Sequence, residues 1–285
     1  MSPSLTGAAS LARRAVPFLV VDAAVVVYRQ SDAIIVSALS DETQVGWYSV
    51  AETFLGSLLL VPTLILSVVF PTMARKSTES TEEALRITRS CLHLLWLVCV
   101  PIGLGTVVMA DRITAILLGD EFAKTGPVLA SMGVVMIVMV PAIVTFQYGV
   151  VLGRQSRFAY IVVIAFVVSL PLHFTIDPWT RDRYGSAALG AAMVFTATEA
   201  LIFVLSLIFL TPGVIDRSLV NVFVRANIAG GLLFAVAWPL RERMILLPVA
   251  AGALVYLTAI VLLRAVSDEE RRLLRGVLDR LRRAR

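Results

Sequence analysis

The sequence predicts an all-α, polytopic transmembrane helix bundle of about eight spans, and three observations carry that prediction. Hydrophobic residues make up 58% of the 285, and mean hydropathy is +0.87, beyond what one soluble core needs. The apolar runs are continuous rather than alternating, so helices rather than a closed barrel satisfy the backbone in lipid. The basic residues are asymmetric once the N-terminus is placed in the cytoplasm. Arg112, Lys124, Arg181, Arg183, Arg241 and Arg243 then fall outside and Arg29 falls within a span. The other eighteen of the 25 fall inside, as the positive-inside rule requires.

Residues 1–14 form a cytoplasmic N-terminal segment ending in Arg13 and Arg14. Twin arginines raise the question of an export signal, but Asp22 interrupts the apolar run and no cleavage site follows, so a first membrane helix is expected. Spans are expected at 15–39, 46–74, 88–110, 127–151, 158–176, 185–210, 222–239 and 244–264. They group into a six-helix lobe over 15–210, two additional helices over 211–264, and a basic amphipathic tail over 265–285. The second span contains Pro62 and Pro71, which predicts a kink. Ser80 and Glu83 have capping-box spacing and begin an amphipathic lead-in to the third span. Gly149 and Gly153 have GxxxG spacing, which predicts a helix contact. Trp47, Tyr48, Trp179, Tyr184 and Trp238 fall near the outer boundary as an aromatic belt. The tail mixes Leu273, Leu274, Val277 and Leu281 with arginines, the composition of a helix lying on an anionic membrane face. Both termini are expected in the cytoplasm.

Several functions are disfavoured. The net charge of +5 and pI near 9.6 are explained by topology rather than by nucleic-acid binding. Cys91 and Cys99 read as packing residues, and with only His93 and His173 no zinc-type ligand set is assembled. No nucleophile–histidine–acid set and no phosphate-cradling glycine loop is visible, so neither an enzyme nor a cofactor is expected.

The informative polar residues lie inside the spans. Arg29 and Asp32 sit at i and i+3, close enough to pair, and Asp22 lies two turns earlier on nearly the same face. Asp32 is about 10 Å from the outer end of its span, and Glu52 lies at similar depth in the next helix. Tyr48, Glu52 and Gly56 recur at i+4, giving a polar approach and a small residue for close packing. Glu199 sits near the middle of the sixth span. Ionisable groups at such depth face the bundle interior and have partners. Two readings stand: a closed structural triad of Arg29, Asp32 and Glu52, or a polar stripe that binds an anionic headgroup or carries a coupling proton.

The stretch VGWYSVAETFLGSLLLVPTLILSVVFPTMARKS, preceded by QSDAIIVSAL, resembles the start of the second half of polysaccharide-type lipid-linked oligosaccharide flippases. These belong to the multidrug/oligosaccharidyl-lipid/polysaccharide exporter superfamily. Asp32, Val45, Gly46, Tyr48, Ala51, Phe70 and Pro71 match its pattern, and ITAILLGDEFAKTGPVL at 113–129 is similar to the segment after the next span. The likeness covers about 15 to 150. It implies the C-terminal lobe of a two-lobed flippase, with the first lobe expected from a homodimer partner or a separate subunit. It further implies alternating access of a lipid-linked oligosaccharide or polysaccharide precursor across the cytoplasmic membrane, amid membrane lipids. Arg29 would contact the phosphate, with Asp32 and Glu52 as organisers or proton carriers. The alternatives are a multidrug-type small-molecule antiporter and a non-transporting scaffold of a glycan assembly complex.

Overall fold

The computed structural model describes residues 19, 23, 25–28 and 30–265. Every regular element among them is helical. Helix α1 comprises residues 25–28 and 30–39, and seven of its successors are α2 (Glu42–Leu58), α3 (Leu60–Glu79), α4 (Thr81–Leu118), α5 (Thr125–Val151), α6 (Gln155–Tyr184), α7 (Ala187–Leu205) and α8 (Arg217–Ala237). A π-helical turn, Ser206–Leu210, prolongs α7, and α9 (Leu246–Leu262) ends the described chain. Four of these helices start where a short polar side chain accepts a first-turn N–H. Asp41 accepts from Gln44, Ser80 from Glu83, Ser186 from Leu189 and Asp216 from Leu219, at 2.8 to 3.4 Å.

Five helices are long and apolar enough to cross a membrane, and α2 with α3 makes a sixth if the bent pair is one span. Helix α9, with 17 residues, is apolar but short, and much of 15–39 lies outside the described residues. The described residues therefore show a multi-pass bundle with fewer than the expected eight spans. The expected kink is a 44° break between α2 and α3. Pro62 causes it, because its ring crowds the carbonyl four residues back, Leu58, where α2 stops. Pro71 stays inside α3. The lead-in and third span are one helix, α4, of 38 residues or about 57 Å, so it extends well beyond a ~30 Å hydrocarbon core. Ser80 caps it, but Glu83 pairs with Lys76 at 3.2 Å and the Ser80 N–H goes to the Lys76 carbonyl. Only half of the expected capping box forms.

Helix α5 is the centre of the bundle. Its most apolar stretch is 72% buried, against 33% for α6 and for α8. It packs on α4 and α7, while α6 covers α7 and the pair α8–α9 leans on the far side of α4. Small residues let α4 and α5 cross closely: a Cβ on Gly133 would stand 2.6 Å from the Gly103 carbonyl oxygen. The Gly149–Gly153 expectation is half right. Gly149 lies under Leu210 of the π turn, but Gly153 has φ +69° and turns the chain between α5 and α6. Among the described residues nothing comes within 4 Å of a Cβ on Gly56, so they show no close helix contact there.

Basic side chains tie the loops by donating to carbonyls at helix ends, where the helix dipole is negative. Arg154 reaches the Leu210 carbonyl at 2.9 Å, Lys124 that of Tyr184 at 2.8 Å, and Arg225 that of Arg264 at 2.8 Å. Arg89 donates to Gly213 and Val214 and pairs with Asp216 at 3.3 Å. Trp179, Tyr184 and Trp238 are exposed, as an aromatic belt requires, whereas Tyr48 is buried and belongs to the site described next. The basic tail, 266–285, lies outside the described residues, as does segment 1–14.

Candidate functional site

Four helices bring polar side chains together near the α6–α7 turn. Helix α1 supplies Tyr28 and Asp32, one turn apart and both buried. Helix α2 supplies Tyr48, whose hydroxyl donates to Asp32 Oδ2 at 3.3 Å. Helix α6 supplies His173 and Asp177, again one turn apart. The imidazole lies between two carboxylates, with Nε2 3.1 Å from Asp32 Oδ1 and Nδ1 2.9 Å from Asp177 Oδ2. Asp32, His173 and Asp177 are 1%, 0% and 1% exposed, so no solvent competes for these contacts. Helix α7 supplies Thr198 and Glu199. The Tyr28 hydroxyl lies 2.9 Å from Thr198 Oγ1 and 3.3 Å from Glu199 Oε1. Thr198 spends its own proton on the Val194 carbonyl, 3.0 Å away, which leaves its oxygen to accept from Tyr28.

Local packing fixes this geometry. Helices α6 and α7 approach closely because Gly190 faces Asp177, and a Cβ there would fall 2.6 Å from the Asp177 Cα. Gln44, in the first turn of α2, staples the α6–α7 turn from the side. Its amide donates to the Gly185 carbonyl at 3.4 Å, and its oxygen accepts the Ala188 N–H at 3.3 Å. Glu52, one turn beyond Tyr48, lies within electrostatic reach of that hydroxyl and is half-buried.

Of the residues the sequence singled out, the fold joins Asp32 and Tyr48 directly and brings Glu199 to the same assembly through Tyr28. Asp22 and Arg29 lie outside the described residues, and with them the proposed pairing of Arg29 with Asp32. The described partner of Asp32 is instead His173, which sequence reasoning considered only as a zinc ligand. Asp177 was missed because the fifth span was ended at 176, whereas α6 runs to Tyr184. The His173–Asp177 spacing of i, i+4 was the available signal. Tyr28 carried no sequence signal, since a tyrosine in an apolar run reads as core.

Each ring nitrogen of His173 faces a carboxylate oxygen, so with both acids ionised both nitrogens must donate.

No curated protein matches the chain. Residues 2–127, which contain Asp32, Tyr48 and Glu52 but neither His173 nor Glu199, match the family model described as polysaccharide biosynthesis protein, so that segment is similar to this family.

Proposed function

We propose that the protein is a flippase that moves a lipid-linked oligosaccharide or polysaccharide precursor across the cytoplasmic membrane by alternating access, with both termini in the cytoplasm. The observation that carries this reading is the buried array of Asp32, His173 and Asp177 inside an otherwise apolar bundle whose N-terminal part matches a polysaccharide biosynthesis family. Stability alone gives little reason for such an array, because well-packed apolar residues in place of a buried ion pair are often neutral or stabilising. Intramembrane ionisable groups mark solute or proton pathways. An apolar cavity between α2, α4, α8 and α9, lined by Phe54, Leu58, Met109, Leu233, Pro248 and Gly252, suits a lipid chain. Arg29 is assigned the phosphate of the substrate, as a planar two-pronged donor. The chain makes no covalent bond in this reading. Its helices supply one wall of the pathway, and a second copy or a separate lobe supplies the other.

The test is export in cells that lack their own copy and carry this chain or its Asp32→Asn variant. Wild type should restore surface glycan, and Asp32→Asn should leave the lipid-linked precursor accumulated on the cytoplasmic side. Surface glycan that is identical with and without the chain would overturn the reading.

A further inference from the structure

Three walls of the apolar cavity form one body, and the fourth belongs to another. Arg112 of α4 donates to the Arg241 and Arg243 carbonyls in the α8–α9 turn at 3.3 and 3.2 Å, and Tyr256 of α9 donates to the Leu97 carbonyl at 2.9 Å. A Cβ on Gly230 of α8 would stand 2.6 Å from Val100 of α4, so α8 is also packed tightly onto α4. The fourth wall is α2, through Phe54 and Leu58. Its polar ties point the other way, from Gln44 to the α6–α7 turn and from Tyr48 to Asp32 of α1. Its continuation α3 goes with α4 instead: Thr88 Oγ1 lies 3.0 Å from Met73 Sδ, and Lys76 pairs with Glu83 at 3.2 Å. The 44° break therefore falls where the chain passes from one body to the other. Pro62 offers no N–H to the Leu58 carbonyl, so the joint lacks a backbone hydrogen bond that would stiffen it.

The cavity itself is the second observation. Its volume is about 390 Å³. Interiors are packed as densely as organic crystals, and a void of this size forfeits dispersion contacts along its walls. No polar group there calls for water, since the one hydroxyl in the lining, Thr106, donates to the Ile102 carbonyl at 2.9 Å. Gly105 of α4 also lines the space, and a Cβ on it would meet nothing within 4 Å. A larger side chain at 105 would fill the gap and favour the helix, so the sequence leaves open a space that is easy to close.

We propose that the cavity is the clearance for a swing of α2, which pivots at Leu59–Pro62 against a fixed α3 and closes on α4, α8 and α9. Because Gln44 and Tyr48 hold α2 to the α6–α7 turn and to α1, these elements travel with it and the buried array stays intact. The swing stands on the geometry alone; its effect on export rests on the flippase reading above. One consequence separates clearance from a packing defect. Gly105→Leu should raise the unfolding midpoint and yet abolish export, because it occupies the space that α2 moves into.

Spin-label distances in phosphatidylethanolamine–phosphatidylglycerol vesicles test the swing, with Cys91 and Cys99 replaced by alanine. One pair of labels sits at the exposed positions Ser49 of α2 and Leu246 of α9, the other at the exposed Thr72 of α3 and Glu82 of α4. The first pair should show two distances that Gly105→Leu merges into one, while the second pair shows a single distance in both chains. A single Ser49–Leu246 distance in the otherwise unaltered chain overturns the swing, even if Gly105→Leu fails to fold or blocks export by another route. Two distances that persist in Gly105→Leu overturn the cavity as clearance. Normal export by Gly105→Leu with its distances merged overturns the link to transport. Merged distances with no export attributable to the unaltered chain remove the flippase reading and keep the swing.

Discussion

Replacing His173 by leucine separates the energetic role of the array from its functional one. The side chain is fully buried and bridges two carboxylates at 2.9 and 3.1 Å, each about 1% exposed. Leucine fills a similar volume, so no large cavity term arises. What remains is two buried acids without their shared partner, and breaking a buried pair in this way costs about 3–5 kcal/mol. Glutamine at the same place keeps a donor and an acceptor, so its loss should be smaller, about 1–3 kcal/mol. The triple change of Asp32, His173 and Asp177 to leucine removes the orphaned acids and strands only the Tyr48 hydroxyl. It should therefore recover most of the stability, to within about 1 kcal/mol of wild type. The assay is unfolding of the purified chain in mixed micelles at rising anionic-detergent fraction, read by the fluorescence of its four tryptophans. Glycan export, measured in parallel, should be lost in all three variants, including the stable triple one. If His173→Leu unfolds within about 0.5 kcal/mol of wild type, a surface-like effect, the buried array does not exist as described. If the triple variant exports normally, the array is structural only.

Other outcomes follow from the same geometry. Gly190→Leu should destabilise by more than Gly190→Ala, and both should impair export, because any Cβ there meets Asp177 and overpacking costs about 1–3 kcal/mol; unfolding and export of the pair check this. Arg29→Leu should insert at normal levels while export falls, with Arg29→Lys partly impaired; export by the double variant Arg29→Leu, Asp32→Leu would assign Arg29 a structural role. Membrane-impermeant thiol labelling from outside should reach cysteine at position 42 or at the exposed position 182 and miss position 78; strong labelling at 78 would invert the proposed topology.

The helices were legible wherever apolar residues run unbroken. The expected span 127–151 differs from α5 by two residues at one end, and 185–210 covers α7 with its π turn. The end of α6 was not legible because Asp177, Pro178, Arg181 and Asp182 have the composition of a loop. The helix nevertheless continues through Pro178, forgoing one backbone hydrogen bond, and so places Asp177 inside the bundle. Asp32 and Tyr48 could be singled out because a charge in an apolar run is conspicuous and because their short connecting loop makes α1 and α2 neighbours. Their partner His173 is 141 residues from Asp32, and Glu199 is 171 from Tyr28. Pairings over such separations depend on which helices pack together, and no local pattern in a single chain encodes that. Gly56 shows the converse: i+4 spacing puts it on the face of Tyr48 and Glu52, but no atom of another described helix comes within 4 Å of a Cβ there.

Transport can be followed in liposomes that contain the purified chain and a fluorescent lipid-linked oligosaccharide. An impermeant quencher added outside reads the share of label in the outer leaflet. Vesicles with the wild-type chain should move label from the protected to the quenchable leaflet, and vesicles with Asp32→Asn should behave like empty ones. Label that distributes identically in wild-type, Asp32→Asn and empty vesicles would contradict the flippase reading.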